Sequence, residues 1–267
     1  MIVKIECGRE CTKIYRYCPF QIWKTKIWKN ALFRGIHQQK KGAYVMNCIK
    51  GIIFDLDGVI VFTDELHFQA WNKLAKDLGI YFDREINNLL RGVSRMESLE
   101  IVLREYHGSP LSDSEKAALA EKKNDIYKGL LEGMKPEDVS DEVRSSLREL
   151  ARRGFKLAVG SSSKNTKRIL EKVELTGMFD AVSDGTNIQR SKPDPEVFIK
   201  AAQFLGLEPQ QCLVVEDADA GVEAAIAAGM YSAALRPAAE SGKADYLLKD
   251  FTDLLNITAL ERTEGDC

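Results

Sequence analysis

Ile49, Ile52, Ile53 and Phe54 form a near-continuous apolar run that stops abruptly at Asp55-Leu56-Asp57-Gly58. A strand that is apolar at successive positions has both faces covered, which is the condition of a central strand in a parallel sheet with helices on either side. Comparable short runs recur at Lys156 to Gly160, Ala181 to Ser183, Cys212 to Glu216 and Tyr231 to Leu235, with helical patterns between them. That alternation predicts an α/β fold built on a Rossmann-like, doubly wound parallel sheet.

About 100 residues separate the first run from the second, and none of them reads as a strand. One crossover helix needs far fewer, so the spacing predicts an insertion. Leu66, Ala70, Leu74 and Leu78 fall at four-residue intervals, and Ser94-x-x-Glu97 and Ser112-x-x-Glu115 have the form of capping boxes opening two further helices. The insertion reads as a small helical cap domain over residues 64–135, set within a core formed by 46–63 and 136–267. In the core, Asp194-Pro195 reads as an N-cap followed by proline at the first helical position, and Gly229 as a helix stop.

With 267 residues, 45% of them hydrophobic and 29% charged, the chain can bury a substantial core. Its mean hydropathy is −0.24. No run approaches the roughly 18 consecutive apolar residues of a membrane-spanning helix, so no membrane partner is expected. The net charge of −2 is uneven: residues 1–45 carry ten basic and two acidic side chains, which leaves the remainder at −10. A body that acidic gains nothing from a polyanion, and nucleic acid is not expected as a partner. The basic segment reads as an extension ahead of the fold: a basic arm, a targeting segment, or upstream sequence translated in front of a start at Met46. It lacks the signal-peptide pattern and the serine richness of most transit peptides. Six scattered cysteines make no disulfide framework, Cys7, Cys11 and Cys18 match none of the usual zinc spacings, and Cys48 and Cys212 sit in apolar runs. A reducing, cytoplasmic setting is expected.

Functional groups on an open α/β sheet collect at the carboxyl ends of the strands. There the sequence puts Asp55 and Asp57 after the first run, Ser161, Ser162, Ser163 and Lys164 after the second, and Glu216 and Asp217 after the fourth, with Lys192 in a loop before a helix. Acids, a lysine and hydroxyls converging on one edge suit a magnesium ion and a phosphate. A carboxylate attacks phosphorus only when the phosphate's own charge is offset, so Asp55 needs a cation between the two anions. Magnesium takes few protein carboxylates, a set that Asp55, the carbonyl of Asp57 and Asp217 can complete with water and substrate. Lys192 and the serine hydroxyls can hold the remaining phosphoryl oxygens, with backbone donors from a helix starting after Ser163. Plainer readings exist: a turn for Asp55 and Asp57, a helix cap for the serines, a packed interface histidine for His67, and solvated charges for Arg91 and Arg95. Four motifs in order favour catalysis over these.

Phe54-Asp55-Leu56-Asp57-Gly58-Val59, the Ser161 loop, Lys192-Pro193 and Glu216-Asp217 resemble, in that order, the four motifs of the haloacid dehalogenase superfamily of phosphotransferases. The likeness covers about residues 47–255. Within that superfamily, His67-Phe68-Gln69-Ala70-Trp71, Arg91-Gly92-Val93-Ser94-Arg95, Lys122-Lys123-Asn124 and Ser161-Ser162-Ser163-Lys164-Asn165 resemble the β-phosphoglucomutase family. The resemblance implies that Asp55 is the nucleophile that becomes an aspartyl phosphate and that Asp57 is the general acid and base. It implies that Ser161 and Lys192 hold the transferring phosphoryl group, and that Asp55, the Asp57 backbone, Glu216 and Asp217 form a Mg2+ site. His67 would sit at the cap hinge and bridge Asp57 or the sugar. Gly92, Val93, Ser94, Arg95 and Lys123 from the cap, with Ser163, Lys164 and Asn165 from the core, would meet the sugar phosphate.

The implied reaction interconverts β-D-glucose 1-phosphate and glucose 6-phosphate through the aspartyl phosphate and glucose 1,6-bisphosphate, which also primes the enzyme. A sugar-phosphate phosphatase and a disaccharide-phosphate mutase are the alternatives within the superfamily. A catalytically dead regulatory protein is opposed by the presence of Asp55, Asp57, Lys192 and Asp217 together. Small sugar phosphates are the expected partners and a monomer the expected state. Phe62, where the family often has an acid, and Asp141-Glu142, in place of a frequent Pro-Gly, depart from the pattern at the hinges rather than at the chemistry. Residues 1–45 have no counterpart in it.

Overall fold

A computed structural model of the protein describes residues 49–90, 93–235 and 238–258. The basic extension, Met46, Arg91 and Gly92 lie outside the described residues. Five strands fall on the apolar runs: β1 (Gly51–Phe54), β2 (Lys156–Gly160), β3 (Ala181–Ser183), β4 (Cys212–Glu216) and β5 (Tyr231–Ala234). A two-residue edge strand, β6 (Tyr246–Leu247), completes the order β3-β2-β1-β4-β5-β6, in which every neighbouring pair is parallel. This is the Rossmann order, with the chain reversing direction across the sheet between β1 and β4. Successive side chains of a strand point to opposite faces. Ile52 and Phe54 therefore join one buried cluster with Leu157, Val159, Leu213 and Val215, while Ile53 joins another with Ala158, Phe198 and Val214.

Among the described residues, four helices follow β1 within residues 64–135: α1 (Asp64–Asp77), α2 (Arg84–Asn88), α3 (Arg95–Val102) and α4 (Asp113–Leu131). Both capping boxes form, Ser94 with Glu97 at α3 and Ser112 with Glu115 at α4. Trp71, Leu74 and Ala75 of α1, Leu99 and Val102 of α3 and Ala120 of α4 make a core of their own. Ala70, Tyr127 and Leu131 belong instead to the cluster on the sheet, so α1 and α4 each contribute to both layers. Leu66 and Leu78, the ends of the expected stripe, are only partly buried.

Helices α5 (Asp141–Arg152), α6 (Thr166–Lys172) and α9 (Phe251–Ile257) cover one face of the sheet, and α7 (Glu196–Leu205) and α8 (Asp219–Ala227) the other. Asp141-Glu142, the departure at the return hinge, opens α5 behind Ser140 as N-cap, and Glu142 accepts the backbone N–H of Phe251 at 3.0 Å. The acid thus ties α5 to the start of α9. Gly229, at φ 71°, stops α8 as its position predicts.

Two helix starts differ from expectation. Helix α7 begins at Glu196: Asp194 accepts the Glu196 N–H at 3.0 Å, and Pro195 stands just before the first helical residue rather than in it. Helix α6 begins at Thr166, not directly after Ser163. The Ser161 and Ser163 hydroxyls accept the N–H groups of Ser163 and Asn165 at 3.1 and 3.2 Å, and these local bonds hold the chain in a turn before the helix starts. Among the described residues no helix is long and apolar enough to cross a membrane.

Candidate active site

The central ladder aligns Phe54 with Val159 on one side and with Val215 on the other. Asp55, the Ser161 turn and Glu216 therefore leave the sheet at about the same level, at the reversal where ligands of such sheets bind. Lys192, 6% exposed, comes from the loop before α7 and donates from Nζ to Asp55 Oδ1 and Glu216 Oε1. Burial disfavours the charged ammonium, but the two carboxylates outweigh it and hold Lys192 above the usual lysine range. The other Glu216 oxygen accepts the N–H groups of Asp217 and Ala218 at 3.1 and 3.2 Å.

Two glycines make this packing possible. A Cβ at Gly58, which sits at φ 90°, would collide with the Asp217 carboxylate, and one at Gly221 would collide with that of Glu216. Asp55, Glu216 and Asp217 each offer an oxygen, all within 4.8 Å of one another. An all-carboxylate set suits a hard cation such as magnesium rather than zinc or copper. The cradle beside Gly58 admits the Asp217 carboxylate only because no side chain fills it, so the residues present fit magnesium.

Asp57, partly buried, accepts a hydrogen bond on Oδ1 from Thr63 Oγ1. Burial, with Asp55 beside it, pushes the Asp57 carboxyl up to about 7 against the pull of the Thr63 hydroxyl. A carboxyl there can gain or lose a proton near neutrality, as a general acid and base must.

A cavity of about 570 Å³ opens over these groups, a size that suits a small molecule. From the sheet it is lined by Asp55, Asp57, Lys192, Glu216 and Asp217, together with Ser161, Ser163, Lys164 and Asn165 of the turn after β2. From the helices it is lined by His67, Val93, Ser94, Arg95 and Lys123. All the expected site residues that are described thus meet in one space; Gly92 lies outside the described residues.

The helical wall assigns several of them partners that spacing alone does not. Ser94 uses its N–H and hydroxyl in the α3 capping box. Lys123, 3% exposed, lies with Nζ 2.9 Å from His67 Nδ1 and 4.8 and 4.7 Å from the ring centroids of Trp71 and Tyr127. Burial, and then Arg95, push Lys123 down to about 7. Burial, and then Lys123, hold His67 well below its ordinary value, so the ring is neutral, and it lies against Tyr127 with centroids 4.1 Å apart and the planes tilted by 33°. His67 Nδ1 meets Lys123 because α1 and α4 pack together, and the half-buried ring also lines the cavity. Arg95 donates to Glu121 Oε2 at 3.0 Å and to Asn124 Oδ1 at 2.9 Å, and the same Asn124 oxygen accepts from Asn165 Nδ2 at 3.0 Å. That last bond joins the helical wall to the sheet wall.

Glu121, Asn124, Tyr127 and Thr63 escaped the reading of the sequence as site residues. Helical spacing offered a signal for three of them, since Lys123 and Tyr127 are four apart and Glu121 and Asn124 three apart on α4.

A profile of the haloacid dehalogenase-like hydrolase family matches residues 49–229. β-Phosphoglucomutase of Bacillus subtilis (strain 168) is 37% identical over 208 residues, which cover 77% of this chain and 92% of that protein. Fructose-1-phosphate phosphatase of Escherichia coli (strain K12) is 33% identical over 181 residues, 67% of this chain and 93% of that one. Among solved structures, β-phosphoglucomutase from Clostridium difficile superposes with a TM-score of 0.72 at 33% identity, over 79% of this chain and 97% of the other. The family match runs from the first buried strand past the acids at the end of β4, and with the Rossmann order and the Asp55–Lys192–Glu216 arrangement it leads to one conclusion: this chain belongs to the haloacid dehalogenase-like hydrolases.

Proposed function

We propose that the protein is a sugar-phosphate mutase that interconverts β-D-glucose 1-phosphate and glucose 6-phosphate. The charge of the cavity carries this reading. Beyond Lys192, which already answers Asp55, the same space is lined by Arg95, Lys123 and Lys164. A hydrolase of monophosphates needs one phosphate locus; a second group of cations has a use when the ligand carries phosphate at both ends. The similarity to the Bacillus and Clostridium β-phosphoglucomutases supports the choice of sugar.

In this reading Asp55 is the nucleophile and works in its phosphorylated form. The 6-hydroxyl of β-glucose 1-phosphate attacks that phosphorus, Asp57 takes the hydroxyl proton, the bond to Asp55 breaks, and glucose 1,6-bisphosphate results. The bisphosphate turns end for end. Asp55 then attacks the phosphorus at C1, Asp57 returns its proton to the departing sugar oxygen, and glucose 6-phosphate leaves with the aspartyl phosphate restored. Ser161 and Lys192 hold the phosphoryl oxygens in flight. Magnesium, held by Asp55, the backbone carbonyl of Asp57 and Asp217, supplies when bound the positive charge that lets two anions meet. Glu216, with both oxygens already hydrogen bonded, serves by fixing Lys192. Arg95, Lys123 and Lys164, with Val93, Ser163 and Asn165, grip the far end of the sugar. Residues 64–135 act as a cap whose closure keeps water from the aspartyl phosphate.

A sugar-phosphate phosphatase is the second reading, favoured by the Glu121 carboxylate that already neutralises Arg95 and by the Escherichia relative. Phosphorus NMR of the protein with Mg2+, β-glucose 1-phosphate and a trace of glucose 1,6-bisphosphate separates the two. A mutase builds the glucose 6-phosphate resonance with little inorganic phosphate. Inorganic phosphate alone would establish the phosphatase.

A further inference from the structure

Arg95, the cation expected at the far phosphate, already has an anion. Its Nη1 lies 3.0 Å from Glu121 Oε2, and its Nη2 donates to Asn124 Oδ1 at 2.9 Å. The Glu121 carboxylate is itself held in place: Oε1 accepts from Asn124 Nδ2 at 2.9 Å and from Lys128 Nζ at 3.3 Å. The Asn124 amide, and then Lys128 and Arg95, keep Glu121 below the usual carboxylate range, so it is ionised at neutral pH. Glu121 also lines the cavity. An anion at the wall of a cavity for phosphorylated ligands opposes binding unless it has a specific use.

The geometry of the guanidinium suggests that use. Its two terminal nitrogens form a planar fork that matches a carboxylate or a phosphate, but the same edge cannot serve both fully at once. Here one tooth of the fork is on Glu121, and the other is on the amide oxygen that also receives Asn165 from the sheet wall. The Arg95 and Glu121 side chains are 25% and 56% exposed, so the pair is solvent-screened and can exchange partners.

We propose that Glu121 is an internal competitor for Arg95: it holds the guanidinium while the far end of the cavity lacks phosphate and yields it when the distal phosphate of a sugar bisphosphate arrives. The proposal rests on the mutase reading above. Two consequences follow from the bonding. A ligand with no phosphate at the far end leaves Arg95 on Glu121 and Asn124, so the helical wall distinguishes ligands that carry a distal phosphate from those that do not. The competitor also keeps the distal grip from becoming too tight, which lets a bisphosphate let go and turn around.

The test is binding of β-glucose 1,6-bisphosphate, by calorimetry with Mg2+, to the full chain carrying Asp55→Asn so that no phosphoryl group moves. Adding Glu121→Gln keeps the shape and removes the charge; affinity is expected to rise up to about fivefold, the range of an exposed ion pair released from competition. Local damage does not produce a gain in affinity. Arg95→Ala is expected to weaken binding about ten- to a hundredfold, and in that background the gain from Glu121→Gln should shrink toward none. No gain from Glu121→Gln, with Arg95→Ala still weakening binding, overturns the competitor and leaves the mutase reading standing. An equal gain in both backgrounds also overturns it, because Glu121 would then act as a repelling charge and not through Arg95. If Arg95→Ala changes nothing, the reading of Arg95 as a phosphate grip fails first.

Discussion

The two walls of the cavity hold their charges by different means. On the sheet side, Asp55 and Glu216 extend directly from β1 and β4, and Lys192 is buried between them. Their alignment follows from the ladder, which pairs Phe54 with both Val159 and Val215 and so brings Asp55 and Glu216 out at one level. On the helical side, Arg95, Glu121, Asn124, Lys123 and His67 are distributed over three helices and are positioned by hydrogen bonds to one another. Each such bond contributes only about 0.5–1.5 kcal/mol net, so partners there can be traded. The wall assigned to bond breaking is locked to the core of the protein, and the wall assigned to ligand choice is adjustable.

The largest effect is expected where the sheet wall is broken. Asp55→Asn keeps the side-chain shape but removes the carboxylate proposed as nucleophile, so turnover should fall by more than about a hundredfold and no phosphoenzyme should be detectable by mass spectrometry, while the melting temperature is retained. Activity above that level would mean that another group attacks phosphorus.

A substitution on the helical wall should alter the outcome more than the chemistry. In the mutase reading Lys123→Ala removes a hydrogen-bonding contact from the far end of the sugar, and glucose 6-phosphate formation should fall roughly two- to tenfold, with release of inorganic phosphate falling much less. Both products are measured on the same samples. A parallel fall would remove the functional contrast between the walls and favour the phosphatase.

The same lysine has a signature in pH. Burial lowers its value from 10.5 to about 7 in the folded protein, so the fold favours the neutral amine. Its contribution to stability is full above about 10.5, declines as pH falls toward 7, and is lost below that. Lys123→Met abolishes this dependence: the melting temperature of the variant relative to the parent should be higher near pH 6 than near pH 10. An unchanged difference across that range would show that Lys123 is solvated.

The smallest expected effect compares two similar caps. Ser112→Ala at the start of α4 should cost about 1 kcal/mol of stability and leave turnover alone, since neither Ser112 nor Glu115 lines the cavity. Ser94→Ala at α3 should cost a similar amount and also weaken bisphosphate binding, because Arg95 is the first residue of that helix. Equal binding in both variants would separate the α3 cap from the ligand.

The sheet wall was legible in the sequence to a degree that the helical wall was not. β1, β2, β4 and β5 announce themselves by runs buried on both faces, and the polar residues that end them are the ones the ladder brings together. β6 has two residues, too few for any periodicity to register, and α2 has five. Phe62 at the forward hinge is 74% exposed, and nothing in its contacts explains the departure from the family pattern.

The sequence by itself determined the strands β1 to β5 and the helical patterns between them, the long stretch without strands between β1 and β2, and the acids, serines and lysine at the strand ends. These are local or periodic properties: an apolar run, a capping box and a turn each act within a few residues of themselves. Only the tertiary structure decided that His67 pairs with Lys123 across 56 positions, that Asn165 reaches Asn124 across 41, and that Arg95 answers to Glu121 across 26. Such pairings depend on how two helices and a turn approach one another, and a polar side chain takes whichever partner that approach leaves within about 3 Å when water is excluded.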